Sequence, residues 1–377
     1  MIGPVPAAPL PPADPPGPRP AGVGAYLHVP FCRHRCDYCA FATWTDRDEV
    51  AGRYLEACRR HAAALAGDLP PVTSVFVGGG TPTRVDPGAL LAVLAELPVA
   101  PGAEVTIEAN PEDVTPALTA AYAAGGVTRL SIGVQSFVPH VLAGLGRTHP
   151  AEAVAPAVAA ARGAGLAVSL DLIYGGTGES RADWATTVRR AVELEPDHVS
   201  AYALTVEAGT PLAAEPARHP DDDDQADKYD TVTDLLEGAG YGWYEISNWA
   251  RPGHRCRHNL LYWSMGEYVA LGCAAHGHRD GRRYWHVRTP ERYLAAVEEG
   301  RDPEAGSERL DPERRALEAL QLSIRTSAGV PADALDPADR DALVGLVEVR
   351  HDRILLTRAG RLLANEVALR LRPVPPA

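Results

Sequence analysis

Between residues 25 and 206 the chain alternates short, almost wholly apolar runs with longer alanine-rich stretches of mixed polarity. The runs fall at residues 25–29, 74–77, 104–108, 129–134, 167–173 and 198–206. Segments of that length and near-continuous apolarity predict strands buried on both faces of a parallel sheet. The stretches between them, such as residues 53–65, 88–97 and 151–163, are long enough for the crossover helices that parallel pairing demands. Six such units predict an α/β fold, a partial and open (β/α)6 version of the eight-fold TIM-like barrel.

Beyond residue 206 the pattern changes. The acidic run Asp221 to Asp224 reads as a solvated loop, since like charges adjacent in sequence repel and stay in water. A helix is expected over residues 225–238, followed by an aromatic-rich stretch at 241–263. Helical periodicity returns at 313–322; apolar runs at 346–350 and 354–357 then flank His351-Asp352-Arg353, ahead of a helix at 360–369. These features predict a small winged-helix-like α+β domain. The expected organisation is a proline-rich disordered leader at 1–22, the barrel at 23–250, a connecting region at 251–300 and the terminal domain at 301–377.

Composition narrows the function classes. With 377 residues, 46% of them hydrophobic, the chain can bury a large core. A net charge of −13, with Lys228 as the only lysine, argues against a general nucleic-acid binder, which needs a basic face to neutralise phosphates. Six cysteines are too few and too clustered for a secreted disulfide framework, so a reducing cytoplasm is the expected home. The leader lacks the basic start and apolar stretch of a signal peptide, and no run reaches the length of a membrane span. Peripheral membrane association stays compatible with all of this.

The densest chemistry follows the first apolar run, where Cys32, Cys36 and Cys39 stand in C-x3-C-x2-C spacing. Three thiolates on one loop suit three corners of a cubane 4Fe-4S cluster, leaving one iron without a protein ligand. A structural zinc site is the competing reading, with His28 and His34 as the nearest candidates to complete it. Further polar residues close the later runs: Gly78 to Gly80 after the second, Glu108 at the third, Gln135 after the fourth and Asp171 within the fifth. Barrel enzymes build their sites at that strand end. A carboxylate inside an apolar strand, as at Asp171, is expensive unless partnered.

Several longer motifs carry a family resemblance: Tyr26-x-His28-Val29-Pro30-Phe31-Cys32, Gly78-Gly79-Gly80-Thr81-Pro82-Thr83, Glu108-Ala109-Asn110-Pro111, Ser131-Ile132-Gly133-Val134-Gln135-Ser136-Phe137, Arg147, and Asp171-Leu172-Ile173-Tyr174-Gly175. With them, residues 24–370 resemble the anaerobic coproporphyrinogen III oxidase family of radical S-adenosylmethionine (SAM) proteins. The resemblance implies a cluster on Cys32, Cys36 and Cys39, and SAM lined by Tyr26, Gly79 and Glu108. Tyr38, Gly80, Thr81, Gln135, Arg147 and Asp171 match further SAM-contacting positions of that family.

Two departures point to one branch. The oxidase pattern has a fourth cysteine two residues past the third, where this chain reads Cys39-Ala40-Phe41, and the oxidases carry an ordered segment ahead of the cluster motif. Both features resemble the haem chaperone branch, which shares the oxidase fold without its decarboxylations. His258-Asn259-Leu260-Leu261-Tyr262-Trp263 matches that branch's His-Asn-x-x-Tyr-Trp pattern, linked with haem binding. The resemblance therefore implies haem, with His258 as its ligand, and an acceptor protein such as a membrane respiratory protein. His276 is a second candidate ligand, while Cys58, Cys256 and Cys273 read as core. Where the family has Gly-Leu-Pro-Gly, this chain has Gly175-Gly176-Thr177-Gly178. The oxidase itself is the alternative function, and a nucleic-acid-modifying radical SAM protein is a second one.

Overall fold

The computed structural model describes residues 22–373. The leader, apart from Gly22, lies outside them. Six strands, β1 (Val23–Val29), β2 (Val72–Gly79), β3 (Val99–Ala109), β4 (Arg129–Gln135), β5 (Ala167–Tyr174) and β6 (His198–Ala203), pair in parallel and in sequence order. Helices cover the outer face: α1 (Ala51–Ala66), α2 (Pro87–Ala95), α3 (Pro116–Ala124), α4 (Pro139–Gly144), α5 (Val154–Gly163) and α6 (Arg181–Glu193). Both faces of the strands are buried, as their apolarity demands; Leu27, Val77, Ile107, Leu130, Leu170 and Val199 are all fully enclosed. The expected partial six-unit barrel is therefore present.

Register then aligns the polar positions. Val29 pairs with Gly79, Glu108 with Ser131, Gly133 with Asp171, and Asp171 with Ser200. Residues in register on parallel strands share a level along the barrel axis, so these groups face one another at the carboxyl-terminal rim.

Helix α7 (Asp222–Gly238) corrects one expectation. The acidic run is no loop: Asp221 caps the helix by accepting from Asp224 N at 2.9 Å, and Asp222 to Asp224 fill its first turn. Carboxylates there meet the positive end of the helix dipole, which offsets their repulsion. Asp224 also pairs with Lys228 at 2.6 Å.

The sheet continues past both ends of the barrel. On one side stand β7 (Gly242–Glu245) and β8 (Asn248–Ala250), the latter antiparallel to β6. The chain then forms α8 (Arg257–Trp263) and returns beside β1 with β9 (Tyr268–Leu271), parallel to it, followed by antiparallel β10 (His276–Arg279), β11 (Arg282–His286) and β12 (Glu304–Arg309), with α9 (Pro290–Glu298) between the last two. Among the described residues twelve strands thus form one sheet. Strand β12, within the span expected for the terminal domain, pairs with β11.

That domain follows α10 (Pro312–Ser323). It contains a three-stranded sheet of β13 (Val330–Pro331), β14 (Val347–Arg350) and β15 (Arg353–Leu356), with α11 (Pro337–Ala342), α12 (Arg358–Leu362) and α13 (Ala364–Ala368) around a separate core of Ile324, Val330, Ile354, Leu356 and Val367. The helix expected at 360–369 is two short helices meeting at Leu363. Several of its arginines pair with carboxylates, Arg358 with Asp230 and Asp234, Arg370 with Glu366, and Arg372 with Asp339, which lowers the positive charge they offer a phosphate backbone. Among the described residues no helix is long and apolar enough to cross a membrane.

Candidate functional site

A cavity of about 480 Å³ opens at the carboxyl-terminal rim of β1 to β6. Cys32, Cys36 and Cys39 line its mouth, on the loop that leaves β1. Tyr38, Gly79, Gly80, Thr81, Glu108, Gln135, Arg147 and Asp171 line its wall, so eleven of the sequence-selected residues share one space.

The three cysteines are partly exposed and free of disulfides. Burial pushes the Cys32 thiol up to about 11, against the pull of the Thr81 hydroxyl, which lies 3.8 Å from its sulfur. Arg147 reaches Cys36 Sγ at 3.5 Å and also donates to Asn110 Oδ1 at 2.8 Å and Gly133 O at 2.9 Å. Positive charge and a hydroxyl beside the sulfurs suit thiolates carrying iron. Three thiolates on one loop match in donor type and number a cubane with one iron left open. The donor set therefore fits a cluster.

The glycine turn is a cradle with no room for side chains. A Cβ on Gly78 would lie 2.8 Å from the Glu108 carboxylate, and one on Gly80 would lie 2.7 Å from the carbonyls of Val29 and Phe31. Gly79 has φ +106, where other residues are strained, and a Cβ there would strike the His28 ring at 2.3 Å. Its N–H donates to Glu108 Oε2 at 3.2 Å. Gln135 stands at φ +62, and the register with β5 slips between Gly133 and Gln135, which turns its side chain out of the ladder and into the cavity.

Two buried carboxylates face this space. Burial, then the charge of Asp171, raises the Glu108 carboxyl to about 8. Burial also raises Asp171, which accepts from Ser131 at 2.8 Å and Ser169 at 3.4 Å. Asp171 is thus held chiefly by hydroxyls, with the buried Arg129 guanidinium as a smaller influence on its charge. The pair gives the cavity a demand for positive charge that an ammonium or sulfonium group would meet, so the wall fits SAM.

Two selected residues stand apart. Tyr26 does not line the cavity; its hydroxyl meets His28 Nδ1 at 3.1 Å, while His28 Nε2 meets Ala42 O at 2.9 Å. Tyr26 thus holds the histidine that packs behind Gly79. His258 is completely buried on α8, with Nδ1 at 3.0 Å from Ser74 Oγ and Nε2 at 2.8 Å from the Tyr262 hydroxyl. Burial drives its pKa down to about 3. Both ring nitrogens are engaged, and the ring stacks on Phe76 at 5.6 Å, so the structure does not present His258 as an open ligand.

Sequence reading missed two groups. Asn110 bridges Arg147 to Thr81 Oγ1, which it meets at 3.4 Å; it lay within a quoted motif but carried no role. Glu104, in β3, grips α8 from within the barrel: it accepts from Arg257 N at 3.1 Å and His258 N at 3.2 Å, and pairs with buried Arg129 at 3.2 Å. Its only signal was a charge in an apolar run.

Comparison with known proteins agrees with this geometry. Residues 26–191 match the model of the radical SAM superfamily. The chain is 43% identical over 365 residues to the heme chaperone HemW of Mycobacterium tuberculosis strain H37Rv, covering 91% of this chain and 93% of that protein. It is 34% identical to HemW of Escherichia coli K12, covering 91% and 96%, and 32% identical to HemW of Bacillus subtilis 168, covering 91% and 97%. Among solved structures, the coproporphyrinogen III oxidase HemN of Escherichia coli superposes with a TM-score of 0.80 at 23% identity, over 92% of this chain and 89% of that one. That likeness establishes the shared fold.

Proposed function

The chain belongs to the HemW family of the radical SAM superfamily, and on that premise we propose that it is a haem chaperone: it holds a SAM-ligated 4Fe-4S cluster, takes up haem and passes it to an acceptor protein. When bound, the cluster would supply an iron without a protein ligand, which the amino and carboxylate groups of SAM can chelate. Cys32, Cys36 and Cys39 would hold the cluster. Arg147 and Thr81 would steady the sulfurs, Gly79 would let the backbone approach closely, and Glu108 and Asp171 would take the cationic part of SAM. Tyr38, Gly80 and Gln135 complete the wall.

The observation that carries the chaperone reading over the oxidase is Phe41. It stands where the oxidase pattern has a cysteine, on the cluster loop, and is 62% exposed. A large apolar side chain at the mouth offers contact area to a flat apolar cargo or to an acceptor, and no thiol chemistry.

The test is anaerobic reconstitution followed by three measurements: iron and sulfide content, haemin titration, and transfer of bound haem to an apo-acceptor such as a membrane respiratory protein. Cluster, stoichiometric haem binding and transfer are expected. Conversion of coproporphyrinogen III to protoporphyrinogen IX by the same preparation would instead establish the oxidase.

A further inference from the structure

The barrel is open between its first and last strands. Among the described residues β1 and β6 are separated in the sheet by β2 to β5 and share no backbone pairing. The cluster loop leaves the carboxyl end of β1, and residues 204–219 leave the same end of β6, lining the cavity with Leu204, Thr205 and Glu207. Whatever ties these two segments together closes the mouth.

Asp37 ties them, from its place between Cys36 and Cys39. Its backbone and its side chain both reach outside the loop: the N–H donates to Leu145 O at 3.3 Å, the carbonyl accepts from Leu212 N at 3.0 Å, and Oδ2 accepts from Arg218 Nη2 at 2.6 Å. Gly146, at φ +68, permits the approach, because a Cβ there would lie 2.7 Å from Asp37 Oδ1 and 2.9 Å from Asp37 N. Tyr38, next in the loop, packs against Val141, Leu145, Ile173, Leu204 and Leu212, so apolar contacts join the same segments.

Arg218 is fixed on its own side. Its Nη2 also donates to Gly144 O at 2.8 Å, its Nη1 meets Glu215 Oε1 at 3.2 Å, and its carbonyl accepts from Thr177 Oγ1 at 3.2 Å. An ion pair open to water holds little. Here the side chains of Arg218 and Asp37 are only 18% and 28% exposed, and the guanidinium is already oriented by its other two acceptors, so meeting Asp37 costs little further order. The stretch at the end of α4 serves every part of this arrangement: Gly144 O takes Arg218, Leu145 O takes Asp37, and Arg147 reaches Cys36 Sγ at 3.5 Å.

We propose that Arg218, acting through Asp37, is a positioning residue for the cluster: the pair clasps the loop after β1 to the segment after β6 and holds Cys36 and Cys39 in the arrangement that retains iron. The inference rests on the reading of Cys32, Cys36 and Cys39 as the cluster ligands. Partners one step behind a ligand typically change metal retention about tenfold to a hundredfold when removed.

The experiment is anaerobic reconstitution of the full-length wild type, Arg218→Ala, Arg218→Lys, Asp37→Ala and the Arg218→Ala/Asp37→Ala double variant, followed by the decay of cluster absorbance in an iron chelator. Both residues keep contact with water, so the variants should match wild type in circular dichroism and in the thermal transition without iron. Arg218→Ala should lose its cluster about tenfold to a hundredfold faster than wild type. Arg218→Lys keeps the charge but not the planar fork, and should fall between the two. The double variant should be no faster than the faster single one, since both substitutions remove the same interaction. Decay at the wild-type rate in Arg218→Ala or Asp37→Ala, or effects that simply multiply in the double variant, would overturn the clasp and leave the ligand assignment standing. Should Arg218→Ala not fold, Asp37→Ala decides, because it leaves Arg218 its bonds to Gly144 and Glu215. A wild type that takes up no iron would overturn both.

Discussion

Replacing Lys228 by methionine removes one charge from a fully buried pair while nearly preserving volume. The Lys228 side chain is 1% exposed and that of Glu179 is 0% exposed, with Nζ at 3.1 Å from Glu179 Oε2 and donating to Glu179 O at 2.8 Å. After substitution the Glu179 carboxylate keeps its bond from Gly175 N at 2.7 Å but faces no cation. Stranding one partner of a buried ion pair costs about 3–5 kcal/mol. The second carboxylate, Asp224, is 37% exposed and can return to water, so it adds little. Against a total stability of roughly 5–15 kcal/mol, the loss is severe. Its pH dependence has a definite sign. Burial already raises the Glu179 pKa, with Lys228 opposing that rise, so removing the amine raises it further. A carboxyl whose folded pKa exceeds its unfolded one opposes folding at high pH, and the penalty disappears as pH falls through the folded value. Urea unfolding of wild type and Lys228→Met should therefore show a deficit of about 3–5 kcal/mol near pH 8 that shrinks toward about pH 5, and Lys228→Met/Glu179→Gln should recover most of it. A deficit below about 1 kcal/mol, or one that does not change with pH, would refute the reasoning.

Three further outcomes are expected. Gly79→Ala combines a forbidden φ with a clash against a His28 ring fixed by Tyr26 and Ala42, so it should lose about 2–5 kcal/mol by denaturant unfolding; a loss under about 1 kcal/mol would show that the cradle is slack. Glu108→Gln should stabilise the SAM-free protein increasingly as pH rises from the ordinary carboxylate range to about 8, with no gain in acid, because ionising the buried carboxyl opposes folding only above its unfolded pKa. The same variant should weaken SAM binding in calorimetry, and unchanged affinity would remove Glu108 from the site. Cys36→Ser should leave the thermal transition close to wild type, since its loop is partly exposed, yet reduce iron and sulfide sharply after reconstitution.

What the sequence disclosed was local. The cysteine triplet, the Gly78 to Gly80 turn, Glu108, Gln135 and Asp171 each follow or close a strand, and parallel pairing in chain order carries all of them to one rim. The long-range half was hidden. Glu104 caps a helix more than a hundred residues away, and nothing in its own strand announces the partner. The strands β10 to β12 are four to six residues long and interrupted by arginine or glycine, so they carry no apolar run to betray them, and the apolar β9 is only four residues long. The acidic stretch at 221–224 misled because repulsion between neighbours was weighed without the helix dipole that opposes it. His258 was visible as a motif, but its burial depends on Ser74 and Tyr262, whose approach only the folded chain reveals.

A barrel left incomplete retains free borders. At one of them runs β12, Glu-Ala-Gly-Ser-Glu-Arg, which among the described residues pairs on one side only and so presents an outer rank of backbone amides and carbonyls. Its composition discourages recruitment: Glu304, Glu308 and Arg309 impose charge along six residues, and Gly306 weakens its tendency to extend. Gly306, where a Cβ would come within 2.7 Å of the Trp285 indole, thus also helps to keep neighbouring molecules from fusing edge to edge.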